Sequence, residues 1–344
     1  MKMSKRIEYM DALRGFAILT VVYQHLIVMG LSNTAYQSSV SKLIVLFFMP
    51  LFFFISGYFS MKIESINTLR ELWCVYVKKI KTLLVPTIIM FSFCIFYFHL
   101  DFKHYIFEPN KSGYWFTWAL FCIVVMFMVA SYVVTNSVSK AYYRGVIHLI
   151  LAVLLHWGAQ HLDMNNPLNG LLSLNLVLEN YLYFVFGYIF HKKMNTVFLK
   201  KLFFGKWSTS VMLLLSLIPY IYQVQWYIKN ACCLMLVLVI YNVFQHYKEF
   251  FDKSSFWAKL LKNCGLYSLE IYFLHYFLLF RQDFLVTWLT SFSMDYCFRG
   301  HSCQFLIEVI SIGGSTILIA ISCIFISKML SAFPIVSKLC FGKY

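Results

Sequence analysis

MDALRGFAILTVVYQHL, Met10 to Leu26, starts like a hydrophobic helix and carries three polar intruders: Asp11, Arg14 and His25. Arg14 and His25 are eleven residues apart. At about 100° per residue that is three turns plus ~20°, so both project from one face. The rise between them is roughly 16–17 Å, about half of a ~30 Å hydrocarbon core. Asp11, three residues before Arg14, reaches it on the same face. Each group alone has an ordinary explanation: Arg14 snorkels to the interface, and His25 hydrogen-bonds a neighbouring helix. Stacked on one face, they trace a polar path through part of a bilayer, where ionisable groups are candidates for function.

The remaining sequence supplies the bilayer. Of 344 residues, 61% are hydrophobic and only 12% charged, against about 45–50% and about 25% in soluble domains. Apolar runs of ~18–20 residues recur along the whole length. A lipid-exposed backbone must satisfy itself internally, so the spans are helices. The expected fold is therefore all-α, a polytopic membrane protein with about ten transmembrane helices. They are placed at 11–31, 40–60, 82–99, 114–134, 145–161, 174–190, 207–223, 226–246, 265–281 and 305–327. The net charge of +15 sits in short clusters between these runs, which argues for cytoplasmic loops and against nucleic acid as a partner. With the N-terminus inside, 22 Lys and Arg fall on the cytoplasmic side and six outside. Both termini are thus expected in the cytoplasm of a multi-pass inner-membrane protein. No cleavable signal peptide, linker or repeat is evident, so residues 1–344 read as one mature membrane domain without a separate soluble domain.

Other polar residues sit at telling depths. Glu179 and Glu308 each lie about a turn inside the outer end of a span, at a level from which either carboxylate can approach and orient His25. Both also suit an interfacial position in contact with water. In LYSLEIYFLHYF, Ser268, Tyr272 and His275 share a helix face. That face serves substrate binding or a hydrogen-bonded packing seam. FFMPLFFFISGYF holds Pro50, a kinking residue, and the pair Ser56 and Gly57, which permits close helix approach. In YWFTWALF, Trp115 and Trp118 suit an aromatic belt or a substrate platform. KKIKTLLVP carries Lys78, Lys79 and Lys81, ordinary positive-inside charge that can also bind a phosphate-bearing ligand. Cys297 and Cys303 share the last outer loop and can pair in an oxidising compartment. The other eight cysteines read as small buried hydrophobes. No spacing suggests a metal site.

MDALRGFAILTVVYQH resembles the opening of the acyltransferase-3 family, integral-membrane O-acyltransferases that modify cell-envelope sugars. Their mark is Arg or Lys, ten residues, then His, here Arg14 and His25 within D-x-L-R-G. The likeness continues through PLFFFISGYF, the basic run ending in LLVP, YWFTWAL, YFVFGYIF and SLEIYFLH, from residue 11 to residue 275. It implies an acetyl-CoA-dependent O-acetyltransferase with His25 as catalytic base and Arg14 on the acyl-donor side. It also implies cytoplasmic acyl-CoA as co-substrate and a carbohydrate or glycolipid acceptor. Asp11 and Glu179 are the expected catalytic companions, Lys78 and Lys81 the expected donor-binding pair. Trp115, Trp118, Ser268, Tyr272 and His275 are expected around the acceptor. Some members use a cytoplasmic R-x-x-R for the donor; Lys78 and Lys81 keep its charge and lose its bidentate fork. Acetyl versus longer acyl groups, direct transfer versus an acyl-enzyme, and homo-oligomerisation are left open. The alternative is a transporter or flippase of a sugar-linked or anionic substrate, with Arg14 and His25 lining the path.

Overall fold

The computed structural model describes residues 7–30, 38–64, 66–163, 166–193, 205–253, 255–279 and 304–343, and every regular element among them is helical. In chain order the α-helices are α1 (Glu8–Gly30), α2 (Ser39–Val45), α3 (Phe48–Tyr58), α4 (Leu69–Lys79), α5 (Val85–Tyr97) and α6 (Phe102–Phe107). Next come α7 (Trp115–Ser137), α8 (Ala141–Ala159), α9 (Pro167–Leu172), α10 (Leu174–Lys193), α11 (Lys206–Ser216) and α12 (Ile218–Ile221). The last are α13 (Trp226–His246), α14 (Lys248–Asp252), α15 (Phe256–Leu266), α16 (Ser268–Leu279), α17 (Gln304–Ser331) and α18 (Pro334–Phe341).

Six described stretches are long and apolar enough to cross a membrane: Glu8–Met29, Ser39–Met61, Leu69–Tyr97, Trp115–Ser137, Trp226–His246 and Glu308–Ser331. The other expected spans coincide with helices that are shorter or more polar. α8 and α10 have 19 and 20 residues, but they carry Arg144, His148 and His156, or Asn175, Glu179 and Asn180. The expected 207–223 span is divided between α11 and α12. The expected 82–99 span is the second half of a longer helix, in which the π turn Ile80–Leu84 joins α4 to α5. Pro50 acts as its chemistry requires. Lacking an N–H and crowding the carbonyl four residues back, it leaves a turn at Leu46 and Phe47 between α2 and α3.

The helices form two compact units, residues 1–52 with 198–329 and residues 53–197 with 330–344. In the first, α1 is the central helix. Met10, Ala12, Leu13, Ala17 and Val22 are completely enclosed and point in several directions around the axis, as in a helix buried all round. Two glycines let α15 lie against it. A Cβ on Gly15 would stand 1.9 Å from the Leu261 carbonyl oxygen, and one on Gly265 would stand 1.8 Å from that of Asp11. The backbones therefore touch, a packing mode open only to the smallest residues. Phe16 stacks on Phe47 at 5.8 Å and meets Phe244 at 5.6 Å. Tyr9 and Tyr241 share a hydroxyl hydrogen bond of 3.1 Å, and the Lys262 ammonium pairs with Glu8 at 2.5 Å.

The second unit repeats the glycine device between α3 and α10. A Cβ on Gly57 would stand 1.8 Å from the Phe184 carbonyl oxygen, and one on Gly187 would stand 2.0 Å from that of Phe54. Phe127 of α7 packs on Phe184, Tyr188 and His148 at 5.2, 4.9 and 4.9 Å, joining α7, α8 and α10. Lys192 and Glu64 form an ion pair. α4 begins with a capping box in which Thr68 and Glu71 satisfy each other's backbone N–H groups. α18 packs on α5 and ends at Gly342, whose left-handed φ of 64° brings it against the Thr82 carbonyl.

Candidate active site

His25 lies in the last third of α1, and its neighbours come from the α15–α16 pair. These two helices break at Tyr267, which has φ −100° and ψ 22°. Gly265 lies against Asp11 and Gly15, and ten residues further along each chain segment His275 meets His25. Equal advances on both sides mean that α15–α16 runs parallel to α1, so the glycine contact sets the register at which the two histidines meet.

His25 Nδ1 and His275 Nε2 are 2.8 Å apart. The rings are 5° from parallel with centroids 5.0 Å apart. That separation, with the nitrogens in hydrogen-bond contact, describes two nearly coplanar rings joined edge to edge, the in-plane geometry a ring lone pair favours. His275 Nδ1 is 2.9 Å from the Ile271 carbonyl oxygen one turn back in α16. A carbonyl only accepts, so His275 Nδ1 carries the hydrogen. The Tyr276 hydroxyl is 3.4 Å from His25 Nε2, with its ring 5.1 Å from that of His25 and 4.0 Å from that of His275. Tyr272 completes the cluster at 6.2 Å from His275. His275 is completely enclosed, whereas His25 keeps partial exposure. One imidazole is thus accessible and the other is sealed behind it.

Arg14 and Asp11 hold the expected positions on α1, both partly exposed, beside the glycine contact. Ser268 is partly buried at the start of α16, seven residues before His275. Glu308 does not orient His25. It is buried at 3% exposure and accepts hydrogen bonds from Tyr23, at 2.8 Å, and from Ser38. Tyr23 is two residues from His25, about 200° around the helix, which puts Glu308 on another face. Gln24 accepts from Ser41 at 2.8 Å, extending this second seam.

The remaining expected site residues belong to the second unit. Glu179 offers its carbonyl to His156 Nδ1 at 2.9 Å and its carboxylate to Gln160 at 3.3 Å. Trp115 packs near Phe53 at 6.3 Å. Lys78 and Lys81 are exposed, one in the last turn of α4 and the other in the π turn that follows. Trp118 lies 5.4 Å beneath the Lys111 ammonium. Lys111, which falls outside the expected spans, is buried at 3% exposure. Its ammonium donates to the carbonyls of Ile106 and Gly170 at 2.9 Å and of Glu108 at 3.4 Å. Burial pushes its pKa down to about 8.

Sequence reasoning missed Tyr276 entirely, although its place beside His275 and one turn after Tyr272 was a usable signal. It also assigned His275 to the acceptor rather than to His25. Among the described cysteines, Cys94, Cys232, Cys233, Cys264 and Cys323 are buried and Cys74 is exposed. Cys297 and Cys303 lie outside the described residues. Among the described residues, no group of three or more His, Cys, Asp or Glu side chains is placed to hold a metal ion.

The sequence profile of the acyltransferase-3 family, described as an acyltransferase domain, matches residues 7–326. Comparison with curated proteins and with solved structures gave no match.

Proposed function

This chain belongs to the acyltransferase-3 family, and on that footing we propose that it is a membrane O-acetyltransferase moving an acetyl group from cytoplasmic acetyl-CoA to a hydroxyl of an envelope carbohydrate. That it is a multi-pass membrane acyltransferase follows from the family and its apolar helices. The donor, the acceptor, an inner-membrane location, ten spans and cytoplasmic termini are the reading offered here. One observation carries it: the partly exposed His25 ring, hydrogen-bonded edge to edge to a sealed imidazole at 2.8 Å, stands on the same face of α1 as Arg14. A base needs access to the reacting proton and a partner that holds its ring, and His25 has both.

In this reading the acceptor hydroxyl gives its proton to His25 Nε2 while its oxygen attacks the acetyl carbonyl. The C–O bond forms, the C–S bond breaks, and the CoA thiolate leaves with the proton returned from His25 or taken from water. Arg14, about half a bilayer toward the cytoplasm from the base, presents a fixed cation to the donor. The exposure of Lys78 and Lys81 supports their assignment to its phosphates, and the π turn between α4 and α5 fits a functional position. Trp115, Tyr272 and Ser268 are kept as acceptor-side candidates, with Asp11 and Glu179 as supporting carboxylates that take no proton in this step.

The test is incubation of the purified protein in lipid nanodiscs with isotope-labelled acetyl-CoA and envelope glycan. Mass spectrometry of that glycan should show the shift of one ester-linked acetyl group. Movement of glycan across the bilayer without acetyl consumption would replace this reading with the flippase one.

A further inference from the structure

We propose that His275 is the positioning residue of the base, holding His25 in the tautomer with hydrogen on Nδ1 and a bare Nε2. The inference rests on the reading of His25 as the base and goes beyond it by assigning where each proton sits and which residue puts it there.

The chain of constraint starts at a backbone carbonyl. The Ile271 oxygen accepts from His275 Nδ1 at 2.9 Å, which places one hydrogen on that ring. His275 is completely enclosed, with Tyr272, Tyr276 and His25 as its ring neighbours. A second proton would bury a cation against three uncharged rings, at high cost. His275 is therefore neutral and its Nε2 is an acceptor. The hydrogen in the 2.8 Å contact must then come from His25 Nδ1. Neutral His25 has only one hydrogen, so its Nε2 carries a lone pair. That nitrogen faces the Tyr276 hydroxyl at 3.4 Å, the place an acceptor hydroxyl would take.

The arrangement matters most once the proton has moved. When Nε2 takes it, His25 becomes an imidazolium, and the Nδ1–H to His275 contact becomes a charge-assisted hydrogen bond. The Ile271 carbonyl polarises His275 in the helpful direction, making its Nε2 a better acceptor. His275 thus does with a neutral ring what a buried carboxylate does for the histidine of a hydrolase triad. Without it, an imidazole prefers hydrogen on Nε2, which would block the basic nitrogen.

The test uses the full chain in nanodiscs, ¹⁵N-labelled at histidine, and acetyl transfer to envelope glycan. In the wild type, His25 should show a protonated Nδ1 and an unprotonated Nε2; a spectrum with hydrogen on Nε2 overturns the proposal without any variant. His275→Leu should move the hydrogen to Nε2 and lower kcat by at least about 10²-fold, the scale of a general base. The KM for acetyl-CoA should stay within about twofold, because the substituted group does not bind the donor. His275→Gln, whose amide oxygen can still accept from Nδ1–H, should recover kcat to within about tenfold of the wild type. Normal turnover in His275→Leu, or equal losses in the Leu and Gln variants, overturns the proposal. Transfer persisting in His25→Ala overturns instead the reading of His25 as the base.

Discussion

Each unit of the molecule is built around a pair of helices whose backbones touch at glycine, and the two pairs differ in what they hold. In the first unit, Gly15 and Gly265 bring α1 against α15, and ten residues further along the two helices meet again through His25 and His275. In the second unit, Gly57 and Gly187 bring α3 against α10, and the contact is surrounded by packed rings such as Phe54, Phe186 and Phe190. The same packing device therefore serves two ends. Around α3 and α10 it makes a rigid aromatic scaffold. Along α1 it sets the register of two ionisable rings whose hydrogen bond depends on alignment to a few tenths of an ångström.

The largest expected effect separates the two units by chemistry. His25→Ala removes the only base proposed, so transfer should fall by about 10²–10⁴-fold, while detergent-solubilised protein elutes at the wild-type position. Glu179→Gln, in the second unit, keeps a side chain able to accept from Gln160 and should cost less than tenfold. A loss in Glu179→Gln that matches that in His25→Ala would break the division and place a catalytic carboxylate among the second unit's residues.

The glycine pairs sharpen the comparison next. A methyl group at Gly265 or Gly187 would stand within 2.0 Å of a backbone oxygen, and neither oxygen can move without its helix. Each alanine variant should lose about 1–3 kcal/mol of stability, the usual penalty for overpacking. The consequences for turnover should differ. Gly265→Ala displaces α15 from α1 and, through the register, His275 from His25. A shift of that kind can cost roughly 10²-fold in rate. Gly187→Ala should lower the unfolding temperature by a similar amount and leave the turnover of the folded fraction within about tenfold, because the rings around it pack rather than react. Turnover per folded molecule, measured after correcting for melted protein, distinguishes the cases.

How far these features could be read beforehand follows from their range. The shared face of Arg14 and His25 is a property of one helix and was legible from spacing alone. So were the interruption before Pro50 and the close approach at Gly57, because proline and glycine impose their effects locally. The pairing of His25 with His275 joins residues 250 positions apart, and no periodicity in either segment announces it. Depth arguments pointed to Glu179 and Glu308 instead. Depth fixes a level in the membrane but leaves the azimuth free, and Glu308 met Tyr23 on another face. The break at Tyr267 falls near the start of the expected 265–281 span, whereas α15 before it, with Lys259 and Lys262, was left between spans. The burial of Lys111 was hidden for the same reason as the histidine pairing, because one of the carbonyls that receive its ammonium is on Gly170, 59 residues away in α9.

Lys111 gives the second unit a pH dependence of its own. Its pKa is lowered to about 8 by burial, which outweighs the nearby Cys122 and Glu108 that favour its charge. The unfolded chain, with lysine near its ordinary ~10.4, binds more protons through that window. Stability conferred at this site should therefore rise as pH climbs from about 8 toward ~10.4, the sign set by excess protons on the unfolded state. Lys111→Met abolishes the ammonium and strands three carbonyls, one of them on Gly170. It should lose about 1–3 kcal/mol near neutral pH. The gap in unfolding temperature between wild type and variant should widen with pH over that interval, and a gap that narrows would reverse the assignment of the buried, proton-poor form.

The smallest effect probes the proposed division of labour between the donor's phosphates and the transferred group. Lys78 and Lys81 are exposed, and exposed charges act weakly and are screened within about 8–10 Å at physiological salt. Lys78→Gln with Lys81→Gln should raise the KM for acetyl-CoA only a few-fold, with kcat nearly unchanged, because such contacts are made equally in ground and transition states. The same pair should flatten the salt dependence of KM, since the charges that salt screens are gone. His25→Ala, by contrast, should lower kcat with little movement of that KM. If the lysine pair instead lowered kcat, the second unit would be acting on the chemical step, and assigning it only the anionic end of the donor would be wrong.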